Sequence, residues 1–215
     1  MEEIRNIFLI FMIYSLIGWT LEIIEVGLLS KKIVNRGFLI GPYCPIYGFG
    51  ALFLTIFLKG TNTDLFGVFT KSLIICSILE YVTSYIMEKL FKTRWWDYSE
   101  NKFNINGRIC LEGMILFGVG GCLIMEYSNP FLFSVINDSN AILLNIISII
   151  LAIVFLIDLI ISFKIISKLE TKTKIYKDST EEIKEKVKSA LINNYLSNRL
   201  IKAFPNVKKY LFKTK

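Results

Sequence analysis

The chain has 215 residues, 53% of them hydrophobic and 20% charged, a balance too apolar for a soluble domain of this length and suited to a bilayer. It contains no His, which removes His-ligated metal sites, Ser-His and Cys-His nucleophile pairs and any imidazole relay, and its four Cys are too sparse for a disulfide-stapled scaffold. The net charge of +7 is uneven: residues 164–215 hold 14 Lys/Arg against 5 Asp/Glu, whereas residues 1–163 hold 11 against 13. The basic excess therefore belongs to a tail that follows an apolar body, which fits anionic lipid and not nucleic acid.

Five apolar stretches follow in order. The first, Ile4–Leu29, begins after Glu2 and Glu3 where a cleavable signal would carry basic residues, and no small-x-small site follows it, so it is expected to stay as a span. The second, Phe38–Leu58, is broken by Gly41-Pro42 and Pro45. The third is Leu65–Leu90, the fourth Ile109–Met125 and the fifth Ala141–Phe163. A hydrocarbon core of ~30 Å needs about 20 helical residues, so the second and fourth stretches are the short ones. The predicted architecture is all-α and polytopic: about five transmembrane helices, arranged as two helical hairpins plus one, over 1–163, and a basic amphipathic tail over 164–215.

Basic residues alternate low and high across the connections. Arg5 stands alone at the start, Lys31, Lys32 and Arg36 follow the first span, Lys59 the second, and Lys89, Lys92, Arg94, Lys102 and Arg108 the third. The connection Glu126–Asn140 has none. Positive charge stays inside, so the N-terminus is expected outside and the tail in the cytoplasm of a bacterial plasma membrane. In the tail, Ser179 with Glu182 fits a capping box, Leu191 lies on one apolar stripe, Leu196, Leu200 and Phe204 on a second, and Pro205 ends the helix. Anionic lipid and a partner subunit are the two surfaces such a helix would suit.

Ionisable residues within spans are expensive and mark candidate sites. Glu22, Glu25, Glu80, Glu88, Glu112 and Asp158 all fall on the predicted cytoplasmic half. Glu22, Glu80 and Glu112 are candidates for a substrate path, whereas Glu25, Glu88 and Asp158 lie within snorkelling reach of the interface. The loop ends add Asn35, Arg36, Asn106 and Arg108, with Asp97 nearby, and arginine forks bind carboxylate or phosphate with two parallel bonds. The result is a polar, net-acidic vestibule opening inward. No catalytic set, metal cluster or cofactor motif accompanies it.

Gly37, Gly48 and Gly50 recur in register as Gly107, Gly118 and Gly120, after Asn35-Arg36-Gly37 and Asn106-Gly107-Arg108. Leu21-Glu22 then matches Leu79-Glu80 if the later hairpin carries a 12-residue insertion. Interrupted spans at corresponding positions of two halves point to a transporter's binding site, although glycines also serve close helix packing. Pro42 and Pro45 free backbone groups that protein or water must satisfy, so Gly41–Tyr47 is expected to be an unwound or re-entrant lining. Trp95, Trp96 and Tyr98 form either an interfacial belt or a gate, with Asp97 pairing to Arg108 or Arg36.

The runs Asn35-Arg36-Gly37-Phe38-Leu39, Gly41-Pro42, Pro45-Ile46-Tyr47-Gly48, Leu79-Glu80-Tyr81, Trp96-Asp97-Tyr98-Ser99 and Asn106-Gly107-Arg108-Ile109-Cys110-Leu111 resemble those of a bacterial family of small membrane proteins labelled ABC-transporter permeases, of the CmpB-like type. The resemblance covers about residues 10–125, and Arg199–Pro205 shares it. It implies a permease subunit, and the acidic vestibule of Glu22, Glu80 and Glu112 would suit a small polar or cationic solute. No G-x-x-x-x-G-K-[ST] loop is present, so ATP hydrolysis would come from a separate subunit, and so small a body implies a homo-oligomer or hetero-oligomer. The rival reading is a non-transport module that binds lipid headgroups or partner proteins. An intramembrane enzyme would have to rest on carboxylates alone.

Overall fold

The computed structural model describes residues 2–31, 35, 37–58, 64–91, 94–177 and 188–204. Arg36, the Ser179–Glu182 cap and Pro205 lie outside the described residues. The elements are α1 (Glu2–Ser30), α2 (Pro45–Leu58), α3 (Leu65–Phe91), the two-residue strands β1 (Asn104–Ile105) and β2 (Ile109–Cys110), α4 (Leu111–Leu123), α5 (Asn129–Asp138), α6 (Ala141–Lys177) and α7 (Tyr195–Ala203).

Among the described residues, four helices are long and apolar enough to cross a membrane: Glu2–Leu28, Leu65–Phe91, Leu111–Asp138 and Ala141–Leu169. The stretch 38–58 does not supply a fifth of that length. Residues 37–44 are not helical, and α2, opened by Pro45 with its preset φ, has 14 residues and rises only about 21 Å. The sequence signal that broke the stretch, Gly41-Pro42 and Pro45, thus delays the helix rather than kinking it.

The fourth stretch departs from expectation in the other direction. The connection Glu126–Asn140 was expected to leave the membrane, yet α4 continues through a π-helical turn, Ile124–Ser128, into α5. Pro130 has no N–H to donate and its ring would clash in a regular helix. The wider turn, in which the Asn129 N–H reaches back to the Ile124 carbonyl, places the proline at the start of a fresh helical segment. It also aims Asn129 inward, where Asn129 Oδ1 accepts from Tyr14 Oη at 2.9 Å and Asn129 Nδ2 donates to Thr55 Oγ1 at 2.9 Å. A buried, satisfied polar bolt therefore joins α1, α2 and α5.

Packing follows the internal repeat. α2 packs chiefly on α1 and α4 on α3. At Gly48 a Cβ would overlap Ser15 and lie 2.6 Å from the Phe11 carbonyl, and at Gly118 it would lie 2.5 Å from the Phe69 ring. The offset that carries Glu22 onto Glu80 also carries Phe11 onto Phe69. The same phenylalanine-on-glycine contact therefore recurs in both hairpins, in keeping with the matched glycine spacing. The fifth apolar stretch becomes α6, a helix that continues past the apolar run to Lys177.

Tail residues return to the body. Asn194 caps α7 through its side chain, which accepts from the Ser197 N–H at 3.0 Å. Leu191, Leu200, Ile201, Ala203 and Phe204 then bury against Phe91, Trp95, Ile166 and Leu169. The Trp95 and Phe204 rings meet edge to face at 4.7 Å. Leu200 and Phe204 of the second apolar stripe, with Leu191 of the first, are thus covered by the protein's own helices at the end of the bundle where loops 37–44 and 94–110 lie.

Candidate functional site

The two carboxylates at repeat-related positions come into one neighbourhood. Tyr47, in the first turn of α2, lies across α1 because Gly18 has no side chain: a Cβ there would overlap the tyrosine ring. One turn further along α1, Glu22 Oε1 accepts from Tyr47 Oη at 2.8 Å. On the other hairpin, Glu80 is 8% exposed and its Oε1 accepts from Tyr98 Oη at 3.1 Å. The Glu22 charge reaches both Glu80 and Tyr98. Burial, reinforced by the charge of Glu80, pushes the Tyr98 phenol up, so it remains a protonated donor at neutral pH. Each hairpin thus contributes one glutamate from its first helix and one tyrosine from the segment that follows.

A second cluster is built by the loop from α3 to α4. β1 and β2 pair antiparallel, Asn104 with Cys110 and Ile105 with Ile109, around a turn in which Asn106 has φ 53° and Gly107 φ 65°. The turn delivers Arg108 to α3. Arg108 is 9% exposed; its Nη2 pairs with Glu88 Oε2 at 2.8 Å and its Nη1 donates to Ser84 Oγ at 3.2 Å. The guanidinium also lies 5.7 Å and 5.4 Å from the ring centres of Tyr81 and Tyr85. Trp96 Nε1 donates to the Arg108 carbonyl at 3.1 Å. Asp97 pairs with Arg94 at 3.3 Å, not with Arg108, and accepts from the Ser99 hydroxyl and N–H.

The Ser99 hydroxyl first, and Arg94 with it, hold the Asp97 carboxyl below its ordinary value. A depressed carboxyl stabilises the fold above its unfolded value, about 3.9, and loses that contribution as pH falls through the folded value. Asp97→Asn should therefore melt slightly below the parent at pH 6, by no more than about 0.5 kcal/mol for so exposed a group, with the gap closing on acidification towards pH 2.5. A gap that stays constant over that range would remove the ionised role.

Other candidates are placed apart from the carboxylate pair. Asn35 Oδ1 accepts from Trp19 Nε1 at 2.9 Å and from the Gly37 N–H at 3.1 Å, while Asn35 Nδ2 donates to the Ile40 carbonyl at 3.2 Å, so Asn35 folds its own loop onto α1. Asn106 Nδ2 donates to Tyr81 Oη at 2.9 Å, tying the later loop to α3 in the same manner. Glu112 stands exposed in the first turn of α4, where it suits the helix dipole, and is not brought to Glu22 or Glu80. Trp95 is buried under α7. Pro42 lies in the non-helical segment and Pro45 opens α2.

Asp158 was read as an interfacial residue, but it is 8% exposed and its two oxygens accept four hydrogen bonds, from the Ile40 and Gly41 N–H groups and the Tyr43 and Ser162 hydroxyls. An aspartate inside so apolar a run was itself the signal. Arg199, whose fork reaches the carbonyls of residues 37–39, stood in the sequence as a lone arginine of a lysine-rich tail, in the run Arg199–Pro205 that shares the family resemblance, with nothing to tie it to residues 37–39. Among the described residues, no three His, Cys, Asp or Glu side chains converge as metal ligands.

The family model described as "Putative ABC-transporter type IV" matches residues 9–163. No curated protein and no solved structure matches the chain. The match takes in the spans and both site loops, so the chain belongs to that family, and it is a membrane protein of ABC-transporter type.

Proposed function

We propose, on the premise of this family membership, that the chain is the membrane-embedded, permease-like subunit of an ABC-type transport system and passes a small cationic or polar solute between Glu22 and Glu80. One observation carries the reading. The two glutamates occupy matching positions of a duplicated hairpin, face a common region, and are each held by a tyrosine hydroxyl. Transporters place solutes at the interface of such repeats, and paired carboxylates with phenol donors suit an ammonium-type or hydrated cation. Arg108 serves this site indirectly by fixing the loop that presents Tyr98. The headgroup-binding alternative draws less support, since Arg108, its main donor, is committed to Glu88 and Ser84.

The lysine-rich tail supports a position on the cytoplasmic face of a bacterial plasma membrane, where anionic lipid would meet the lysines. An ATP-hydrolysing subunit, and a second copy of this chain, are the partners this reading requires. Purification from native membranes in mild detergent should recover such a subunit in stoichiometric amount, and recovery of the chain alone would remove the ABC role. For the path itself, a cationic solute at a hundred times its dissociation constant should stabilise the purified protein by about 2.7 kcal/mol. Glu80→Gln keeps an oxygen for Tyr98 while removing the charge, so it should abolish that stabilisation in a thermal-shift screen of amines and monovalent cations. An unchanged response in Glu80→Gln would overturn the path.

A further inference from the structure

Non-helical backbone in an apolar body must have its polar groups satisfied by protein. Asn35 serves the Gly37 N–H and the Ile40 carbonyl, and two ionisable side chains distant in sequence serve most of the rest of residues 37–43. Asp158 of α6 accepts the N–H groups of Ile40 at 3.0 Å and Gly41 at 2.7 Å, together with the Tyr43 hydroxyl at 2.6 Å. Arg199 of α7 takes the preceding carbonyls: Nη1 donates to Gly37 at 3.2 Å and Leu39 at 2.9 Å, and Nη2 donates to Phe38 at 3.4 Å. Carbonyls are thus held on one side and amides on the other, and the Asp158 charge acts on the guanidinium across the segment.

The two halves are not equally committed. Asp158 has four donors, Ser162 Oγ at 2.8 Å among them, and three of these come from the segment itself and one from its own helix. Its hydrogen bonding is complete without the tail. Among the described residues, Arg199 has only neutral carbonyls as hydrogen-bond acceptors, and its Nε is buried with no partner. Undocking would return that donor to water while Asp158 kept its own bonds. The tail is the half that can leave.

We propose that α7 is a releasable latch: Arg199, seated by Phe204 against Trp95, closes the clamp on residues 37–43, and its release frees the segment that leads through Cys44 to Tyr47 and Glu22. The inference stands on the fold and needs no solute, so it can fail or hold independently of the transport reading. Cys44 reports it directly, since its N–H donates to the Ser15 carbonyl at 2.8 Å at the end of the clamped segment. In the full chain with Cys76, Cys110 and Cys122 replaced by alanine, maleimide labelling of Cys44 in native membranes should rise about tenfold in Arg199→Gln, the scale expected for losing hydrogen bonds to a charged group. Arg199→Lys should fall between, because an ammonium cannot span three carbonyls with a planar fork. Phe204→Ala, which loosens the seat without touching the fork, should raise labelling as well. A matched chain keeping only Cys76, within α3, should label at its parental rate in all three variants. Unchanged Cys44 labelling in both Arg199→Gln and Phe204→Ala would overturn the latch, as would an equal rise at Cys76, which would make the arginine a general support of the fold.

Discussion

Replacing Gly107 with valine should destabilise the protein by about 2 kcal/mol, most of it backbone strain. Two costs combine. At φ 65° a β-branched residue is a steric outlier, worth roughly 1–3 kcal/mol. A Cβ there would also overlap the Ser99 hydroxyl and lie 2.6 Å from Asp97 Oδ1 and 2.9 Å from Arg94 Nη1, so these side-chain ends would have to turn away and the exposed Arg94–Asp97–Ser99 cluster would open, at only a further ~0.5 kcal/mol. The Gly107 carbonyl accepts the Tyr98 N–H at 2.8 Å, so a shifted turn moves Tyr98 away from Glu80. Equilibrium unfolding in bicelles gives the stability, and the labelling rate of Cys110 in β2 gives the local effect. A Gly107→Val protein that unfolds at the parental midpoint would show that the turn is not what holds this loop.

Arg108→Gln should cost about 3 kcal/mol, close to what removing one partner of a buried pair exacts. The guanidinium is nearly buried between two tyrosine rings, and its loss leaves Glu88 with Arg94 as its remaining ion-pair partner at 3.3 Å. Glu88 is itself 36% exposed on its side chain, which keeps the figure below that of a fully enclosed pair. The informative comparison is Arg108→Lys, which retains the charge but cannot serve Glu88 and Ser84 in one plane and should recover less than half of the loss. A double replacement with Glu88→Gln should cost less than the sum of the singles, since the pair then disappears together. Additive costs would mean that Arg108 acts through the rings and not through Glu88.

Much of this architecture was legible from residue order. Hydropathy located the apolar stretches, and Gly41-Pro42 marked where one of them is not helical. The unwound segment expected over Gly41–Tyr47 nevertheless ends before Pro45, which opens α2 because its preset φ suits a first helical turn. Among the carboxylates, Glu22 and Glu80 stood out as charges inside spans, and each accepts a tyrosine hydroxyl in the structure. Glu112 looked equivalent by the same rule, yet it sits at a helix start facing out, since depth along a helix does not reveal which way a side chain points. Asp158 was underrated for the complementary reason: its four donors come mostly from residues more than a hundred positions away.

By itself the sequence determined a helical membrane body with a basic tail, because bilayer thickness and the cost of unpaired backbone leave few alternatives to apolar helices of that length. It also carried the matched glycine spacing, because spacing is a property of residue order. Only the tertiary structure decided that the second stretch is a short helix behind a clamped segment, that Pro130 is absorbed by a π-helical turn, and that the tail folds back onto Trp95. Those outcomes depend on contacts between residues far apart in the chain, Phe204 on Trp95 and Arg199 on Gly37–Leu39, whose energies no local window contains.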